Sequence, residues 1–263
     1  MVSNRRRWAS RIGLAVIVIA AIDALAVEPY AVAIAKHEIA ASVAAPLTVM
    51  HLTDLHTSGF GRRERRVVEA IDELRPDVIV VTGDVVDGGS LEPARELFTR
   101  MRAPLGVLVV RGNWENWSPP GDEASFYASV GATFLVNEGR LVRPDVWIGG
   151  VDDPMSGDAD VDRAMKGAPD GALRVLLLHS PGSFATFADR VDLAFGGHTH
   201  GGQVRLPFVG PIWTPPGSDR FVEGWYTSGR ARMFVSRGVG TSIFPVRFFC
   251  RPEIGAITIR SRP

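Results

Sequence analysis

Two histidines separated by a single residue, His198 and His200, have the type and spacing best suited to chemistry. They lie in a stretch too rich in glycine for a regular helix or strand, directly after a short apolar run from Val191 to Phe195. This pattern predicts a buried strand that ends in a tight turn carrying both imidazoles. Because imidazole is the commonest metal ligand, the turn is a candidate metal site. The alternative interpretation is a flexible surface loop.

Four further apolar runs end in side chains that bind hard metal ions. In chain order these side chains are Asp54 and His56, Asp84 and Asp87, Asn113, and His179. In an open α/β sheet, ligands collect at the carboxyl ends of the strands, so we expect one convergent site that also includes the two histidines of the glycine-rich turn. Carboxylate, amide and imidazole groups without thiolate favour Mn, Fe or Zn in a site that is not a structural cysteine-type zinc site.

Taken in order, these motifs resemble the set that defines the calcineurin-like metallophosphoesterases. The matching motifs are Asp54-x-His56, Gly83-Asp84-x-x-Asp87, Gly112-Asn113, His179 and Gly197-His198-x-His200. The resemblance runs from about Leu47 to the C-terminus, and the segments 237–241 and 251–254 resemble the membrane-associated bacterial branch of the family. It implies an α/β fold, a four-layer α/β/β/α sandwich in which two mixed sheets pack together with helices outside.

The resemblance also implies two divalent metal ions, Mn, Fe or Zn, bridged by the carboxylate of Asp84. The remaining ligands would be Asp54, His56 and His200 on one metal, and Asn113, His179 and His198 on the other. A metal-bridging hydroxide would attack phosphorus in line, without a covalent enzyme intermediate. The residues expected to be catalytic are Asp84, Asn113 and His198. Asp87 is expected to orient a ligand or a histidine rather than bind metal.

Trp114 departs from the family pattern, which commonly has a histidine here that contacts the phosphate and protonates the leaving group. An indole N–H donates a hydrogen bond but cannot act as a general acid. Unless another group supplies the proton, this favours phosphoanhydrides and activated diesters over alkyl phosphomonoesters. The UDP-2,3-diacylglucosamine pyrophosphatases of lipid A synthesis, in the same family, also replace this histidine. We expect Trp114, Arg237 and Arg247 to contact the substrate; alternatively, Trp114 packs beside Trp117.

The N-terminus has the pattern of a targeting or anchoring segment. Arg5 to Arg7 and Arg11 precede an apolar run from Ile12 to Val27 that only Asp23 interrupts. A signal anchor is the preferred interpretation, which places the catalytic domain outside the cytoplasm. A signal peptide cleaved near Ala24-Leu25-Ala26 would give a secreted or periplasmic protein. An interfacial helix would leave the domain in the cytoplasm, and Asp23 favours it.

The 263 residues, 46% of them hydrophobic, suffice for one sizeable α/β domain and a short appendage. We expect an anchor or signal segment with a connector over residues 1–45, and a metallophosphoesterase domain over 46–263. A helix over 62–74 and strands over 78–82 and 107–110 predict a parallel β-α-β-α-β unit. Asp152-Asp153-Pro154 is expected to be a plain turn.

The function we expect is a dinuclear metal-dependent phosphodiesterase or pyrophosphatase at the bacterial inner membrane. Its substrate would be a phosphoester or pyrophosphate of a lipid or the cell envelope, such as UDP-2,3-diacylglucosamine. A broad phosphomonoesterase is an alternative that Trp114 disfavours, and a membrane-tethered metal-binding module without turnover is another. The formal net charge of zero gives no bulk attraction to nucleic acid, and no protein partner is indicated.

Overall fold

The computed structural model describes residues 2–262, with side chains from residue 8 onward. The helices are α1 (Val2–Ile22), α2 (Arg62–Leu74), α3 (Arg95–Arg100), α4 (Asn113–Trp117), α5 (Glu123–Ser129), α6 (Val161–Ala164) and α7 (Phe184–Phe187). The strands are β1 (Ala33–Ala41), β2 (Leu47–Leu52), β3 (Val78–Thr82), β4 (Val107–Val110), β5 (Thr133–Phe134), β6 (Glu138–Arg143), β7 (Val146–Gly150), β8 (Leu173–Leu177), β9 (Leu193–Gly196), β10 (Arg205–Leu206), β11 (Gly210–Pro211), β12 (Gly224–Ser228), β13 (Ala231–Val235) and β14 (Glu253–Ser261).

The strands form two six-stranded sheets and a small hairpin made of β10 and β11. The first sheet has the order β1-β14-β2-β3-β4-β5, and the second has the order β12-β13-β9-β8-β7-β6. Strands β2, β3 and β4 are parallel, which confirms the predicted β-α-β-α-β unit. Both sheets are mixed, because β14 runs antiparallel to β2 in the first sheet and β6 runs antiparallel to β7 in the second.

The two sheets pack face to face, and helices cover their outer faces. Strand β3 is apolar along its length because both of its faces are buried. Its Val78 and Val80 contact the second sheet, whereas Ile79 and Val81 belong to the core beneath α2 and α3. Leu176 of β8 lies in a third core under α6 and α7. This arrangement confirms the expected four-layer α/β/β/α sandwich.

The N-terminal helix α1 continues through one π-helical turn and one 3-10 turn to Tyr30. Residues Trp8–Tyr30 are long and apolar enough to cross a membrane by length and composition, a test that an N-terminal signal sequence also passes. The side chains of Arg5 to Arg7 lie outside the part of the chain whose side chains the structure describes.

The segment expected to be a connector is built into the fold. Strand β1 pairs in parallel with β14 from Ala33 opposite Glu253 to Ala41 opposite Ser261, and it forms an edge of the first sheet. Residues 33–41, which the prediction assigns to the connector, therefore pair with the last strand of the predicted domain. The sequence did not reveal the pairing of β1 with β14, because β14 lies more than two hundred residues away and the alternating pattern of β1 is weak.

We expect the interface between the two sheets to dominate the stability of the domain. Leu108 of β4 is 0% exposed there. The substitution Leu108→Ala should therefore lower the free energy of unfolding by about 2–5 kcal/mol, measured by denaturant unfolding of the full chain in detergent. Leu141→Ala, at a half-exposed position on edge strand β6, is the matched control and should change it by less than about 0.5 kcal/mol. Equal losses in the two variants would contradict this account.

Candidate metal centre

All seven predicted metal ligands meet at the carboxyl ends of β2, β3, β4, β8 and β9. They form two groups, Asp54 with His56 and His200, and Asp84 with His179 and His198; within each group the ligand atoms lie within 4.8 Å of one another. The amide oxygen of Asn113 lies 3.0 Å from Nε2 of His179 and so joins the second group. All of these side chains are buried.

The carboxylate of Asp84 lies between the two groups. Its Oδ2 is 3.1 Å from Nε2 of His179 and 3.7 Å from Nε2 of His56. In the first group, Nε2 of His200 is 3.3 Å from Oδ1 of Asp54. One carboxylate oxygen therefore faces histidines of both groups, which is the position that a bridging ligand needs.

The hydrogen bonds around the histidines leave one ring nitrogen of each free to bind a cation. Nδ1 of His56 donates to the carboxylate of Asp87 at 2.6 Å, so Nε2 carries the lone pair. Likewise, Nδ1 of His179 donates to the Thr82 carbonyl at 2.7 Å, and Nε2 of His198 donates to the Pro216 carbonyl at 2.6 Å. Asp87 thus orients a histidine, as expected. Backbone and carboxylate partners of this kind commonly fix the tautomer of metal-binding histidines.

The donor set fits a pair of divalent cations. Nε2 of His56 and Nε2 of His200 face each other at 3.2 Å, and Nδ1 of His200 is buried without a hydrogen-bond partner. When both nitrogens present lone pairs, as metal ligands do, they repel each other at this distance, and a cation between them and the Asp54 carboxylate removes that repulsion. Oxygen and nitrogen donors without sulfur agree with the metals considered from the sequence.

The pKa shifts of two of these ligands, His200 and Asp84, favour the forms that bind metal. Burial, and after it the neighbouring His56, lowers the pKa of His200 well below its ordinary value, so this imidazole is neutral. Burial alone would raise the pKa of Asp84, but His179, His56 and the backbone N–H of Trp114 together outweigh burial and lower that pKa. Asp84 is therefore a carboxylate, and neutral imidazole with carboxylate is the combination that metal binding requires.

Five of the seven ligands have left-handed backbone conformations. The φ angles are 50° for Asp54, 41° for His56, 50° for Asp84, 71° for His198 and 50° for His200. Each such residue costs on the order of 1–3 kcal/mol, and the cost persists only where the surroundings enforce it. Close backbone approach contributes here, because a Cβ on Gly197 would overlap Asp54 and one on Gly112 would overlap Asp84. The glycines beside the ligands therefore allow the turns to pack against each other.

Glu115 is a functional residue that the sequence reasoning missed. Its carboxylate accepts hydrogen bonds from the backbone N–H groups of Asp84 at 3.0 Å, Val85 at 2.7 Å and Gly112 at 2.9 Å. It thereby ties the end of β3 to the start of α4. Burial, reinforced by the charge of Asp84, raises the pKa of Glu115 to about 7. Its position three residues after Gly112, at the start of a short helix, was the available signal.

Asp153 has a larger role than the plain turn predicted for it. Its fully buried carboxylate accepts hydrogen bonds from the Ser180 N–H at 3.1 Å and from the Ser156 hydroxyl at 2.6 Å. Ser180 directly follows His179, so Asp153 holds the loop that carries a candidate ligand. The segment is still a turn, and the sequence did not reveal that its acidic side chain points inward.

The three predicted substrate contacts differ in their placement. Trp114 lies on the cleft, with its ring 6.1 Å from that of His56, and its backbone N–H donates to Oδ1 of Asp84 at 3.0 Å. Arg247 contradicts the prediction, because it is fully buried and donates to backbone carbonyls, including those of Gly240 and Cys250. Arg237 is half-buried and paired with Glu253 at 2.7 Å, so its guanidinium is already neutralised, and it is not among the residues that line the cleft.

A cleft of about 670 Å³ opens beside the ligands. One end is formed by Asp84, Asn113, His198 and His200. The remaining wall is mostly apolar, and it includes Trp114, Trp117, Ile212, Trp213, Ile243 and Phe244. The site therefore combines a highly polar floor with a hydrophobic approach, the usual composition of a pocket for an amphipathic ligand.

Two packed mixed sheets with paired oxygen and nitrogen ligand groups at their strand ends define a metal-dependent phosphoesterase. The chain belongs to the calcineurin-like phosphoesterase family, whose model matches residues 47–202. It is 31% identical to the uncharacterized metallophosphoesterase YkuE of Bacillus subtilis over 89% of this chain and 87% of that protein. It is 30% identical to the phosphodiesterase YaeI of Escherichia coli over 80% of this chain and 81% of that protein.

The fold agrees with a solved structure as well. The crystal structure of TT1561 of Thermus thermophilus matches with a TM-score of 0.51 at 11% identity, over 73% of this chain and 90% of that one. At this identity the match shows the fold. Family membership makes the protein a phosphoester hydrolase with a site for divalent metals.

Replacing Glu115 by glutamine should loosen the site without removing a ligand. A glutamine keeps one acceptor oxygen and turns an N–H₂ group towards backbone donors. We expect Glu115→Gln to lower Mn²⁺ affinity, measured by titration of the full chain, by about 10- to 100-fold. Asp122→Asn is the control, since the Asp122 carboxylate accepts from the Ser125 N–H at the start of α5, which carries no candidate ligand. Similar losses in both variants would contradict a specific role for Glu115.

Proposed function

We propose that the protein hydrolyses phosphodiesters or phosphoanhydrides, and that its substrate is a lipid or cell-envelope molecule such as UDP-2,3-diacylglucosamine. One observation carries this proposal: two groups of candidate ligands meet at Asp84, and an apolar cleft opens beside them, with Trp114 next to the ligands. The similarity to a relative named as a phosphodiesterase supports it.

We assign seven residues to two divalent ions, Mn, Fe or Zn. Asp54, His56 and His200 would hold one ion, Asn113, His179 and His198 the other, and Asp84 both. When bound, such a pair supplies Lewis-acid stabilisation of charge on the transferring phosphoryl group and a nucleophile near neutral pH. The chain's own contribution is to hold these ligands in place through Asp87, Pro216 and Glu115, and to exclude water with the apolar wall of the cleft.

Trp114 supports the choice of leaving group. It occupies the cleft beside the ligands, where its indole N–H can donate a hydrogen bond to a phosphoryl oxygen but cannot deliver a proton to a departing alkoxide. A phosphoanhydride or an activated diester has a weakly basic leaving group and needs no such proton. This argument favours a diesterase or pyrophosphatase over a broad phosphomonoesterase.

We also propose that α1 anchors the protein in a membrane, the bacterial inner membrane in the interpretation we prefer. Residues Trp8–Tyr30 have the length and composition of a spanning helix. A relative in Danio rerio, 28% identical over 81% of this chain and 53% of that protein, is named a transmembrane protein with a metallophosphoesterase domain. The phosphoesterase domain proposed for residues 46–263 would be held beside the lipid by this anchor, with β1 as part of its sheet.

The first test compares two soluble substrates with the full chain and Mn²⁺. We expect cleavage of bis-p-nitrophenyl phosphate well above that of p-nitrophenyl phosphate, and a fall to background in Asp84→Ala. The control Asp72→Ala, at an exposed position on α2, should retain wild-type rates. Preferred monoester cleavage would contradict the diesterase assignment. Absence of turnover while Mn²⁺ remains bound would instead support a metal-binding module.

The second test addresses the leaving group directly. Across a series of diesters from p-nitrophenyl to phenyl leaving groups, the wild-type rate should fall steeply, because no acid assists departure. Trp114→His supplies an imidazole at that position and should flatten the dependence, with a gain of about 10²-fold or more on the most basic leaving group. Trp117→His, one helical turn further along and exposed, is the control and should keep the steep dependence. A shallow dependence in the wild type would mean that another residue supplies the proton.

A further inference from the structure

Large apolar side chains are exposed on the wall of the cleft and on the segments that adjoin this wall along the chain. We call this set the apolar rim; its members are Leu206, Phe208, Val209, Ile212, Trp213, Ile243, Phe244 and Phe249. Phe208, at the tip of the β10–β11 hairpin, is fully exposed, and Val209 and Ile243 are more than 70% exposed. Exposed apolar side chains grouped in this way, beside a polar site, mark a surface that contacts another apolar phase.

Specific hydrogen bonds hold the two loops of the apolar rim together. The side chain of Gln203 donates to the carbonyls of Ser242 at 3.2 Å and Phe244 at 3.0 Å, and it accepts from the Ser242 N–H at 2.9 Å. The backbone N–H of Arg205 donates to the Phe248 carbonyl at 2.8 Å. The two loops that carry the exposed side chains are therefore fixed relative to each other by hydrogen bonds.

The apolar rim is joined directly to the candidate spanning helix. The backbone N–H of Arg247 donates to the carbonyl of Ala24 at 3.0 Å. The carboxylate of Glu28 accepts from the N–H of Phe249 at 2.9 Å and from that of Cys250. The end of the helix and the second loop of the rim are therefore adjacent, and exposed Val27 and Phe249 line one pocket. This adjacency to a candidate spanning helix favours a membrane as the apolar phase.

Basic and aromatic groups lie at the junction of helix and rim. The guanidinium of Arg62 lies 4.9 Å from the ring centre of Tyr30, and Nη1 of Arg63 lies 3.5 Å from the hydroxyl of Thr241. Tyrosine rings and arginines are the groups that settle at the level of lipid head groups, where anionic lipids attract the positive charge. Their position places the head-group layer beside the loop that carries Ile243 and Phe244.

We propose that the apolar rim inserts into the acyl-chain layer of an anionic phospholipid bilayer, so that the cleft opens onto the membrane surface. A lipid-linked phosphoester would enter from the head-group layer, with its phosphate at the metal ligands and its chains along Trp213, Ile243 and Phe244. The insertion stands apart from catalysis, whereas the entry route rests on the proposed function.

The insertion is tested with single labels on the full chain. Phe208→Cys, Val209→Cys and the control Leu141→Cys would each carry a polarity-sensitive fluorophore, in vesicles of phosphatidylcholine and phosphatidylglycerol with nitroxide on the acyl chains. Cys250 is buried, and unmodified protein gives the labelling background. We expect quenching at 208 and 209 and none at 141. Equal emission at all three positions would overturn the proposal. Energy transfer between labels on different molecules that rises with protein density would also overturn it, because it would show that a second copy of the chain covers the apolar rim.

The entry route is tested with Phe208→Asn and Val209→Thr together, outside the cleft wall. Phe208 has a φ of 65°, which asparagine tolerates. Hydrolysis of soluble bis-p-nitrophenyl phosphate should stay at the wild-type rate, while hydrolysis of vesicle-embedded UDP-2,3-diacylglucosamine should fall at least severalfold; Leu141→Asn should change neither. Equal vesicle rates in wild type and rim variant would overturn the entry route. Failure of wild type to cleave either substrate would overturn the proposed function, and the quenching result would still decide insertion.

Discussion

Burial of two neighbouring carboxylates, Asp54 and Asp84, is the constraint on which the rest of the structure depends. Both are almost completely buried, and removing a carboxylate from water costs several kcal/mol even after relaxation. The chain offsets this cost with backbone donors, since the backbone N–H of His198 reaches both oxygens of Asp54 at 3.0 Å and that of Trp114 reaches Asp84. Imidazoles of both ligand groups add to the compensation, since His179 faces Asp84 and His200 faces Asp54.

The convergence of the candidate ligands was predictable because they follow apolar runs, and parallel strands bring their carboxyl ends to the same edge. The contacts that hold these ligands in place could not be predicted from the sequence. Glu115 looks like an ordinary helical glutamate, and its role appears only when the end of β3 reaches the start of α4 in space. Arg247 misled the reasoning in the opposite direction, because a sequence does not distinguish a surface arginine from one buried under its neighbours' carbonyl groups.

The same contrast holds for the fold. Helix α2 and strands β3 and β4 have the predicted bounds, since strong apolar periodicity determines them locally. Strand β1 escaped prediction because its partner, β14, is at the other end of the chain, and pairing at that separation leaves little local trace. The exposed hydrophobic residues Ile243, Phe244 and Phe249, between β13 and β14, gave no strand signal because the loop that carries them, held by Gln203, is irregular.

The position of β14 has a consequence for how the protein is made. Strand β14 lies between β1 and β2, which precede it by more than two hundred residues, so the first sheet cannot close until β14 has left the ribosome. Until then, the apolar edges of β1 and β2 have no partner, and such edges invite aggregation during synthesis. If the N-terminal helix enters a bilayer early in synthesis, β1 would be tethered at the lipid surface until β14 is made and can pair with it.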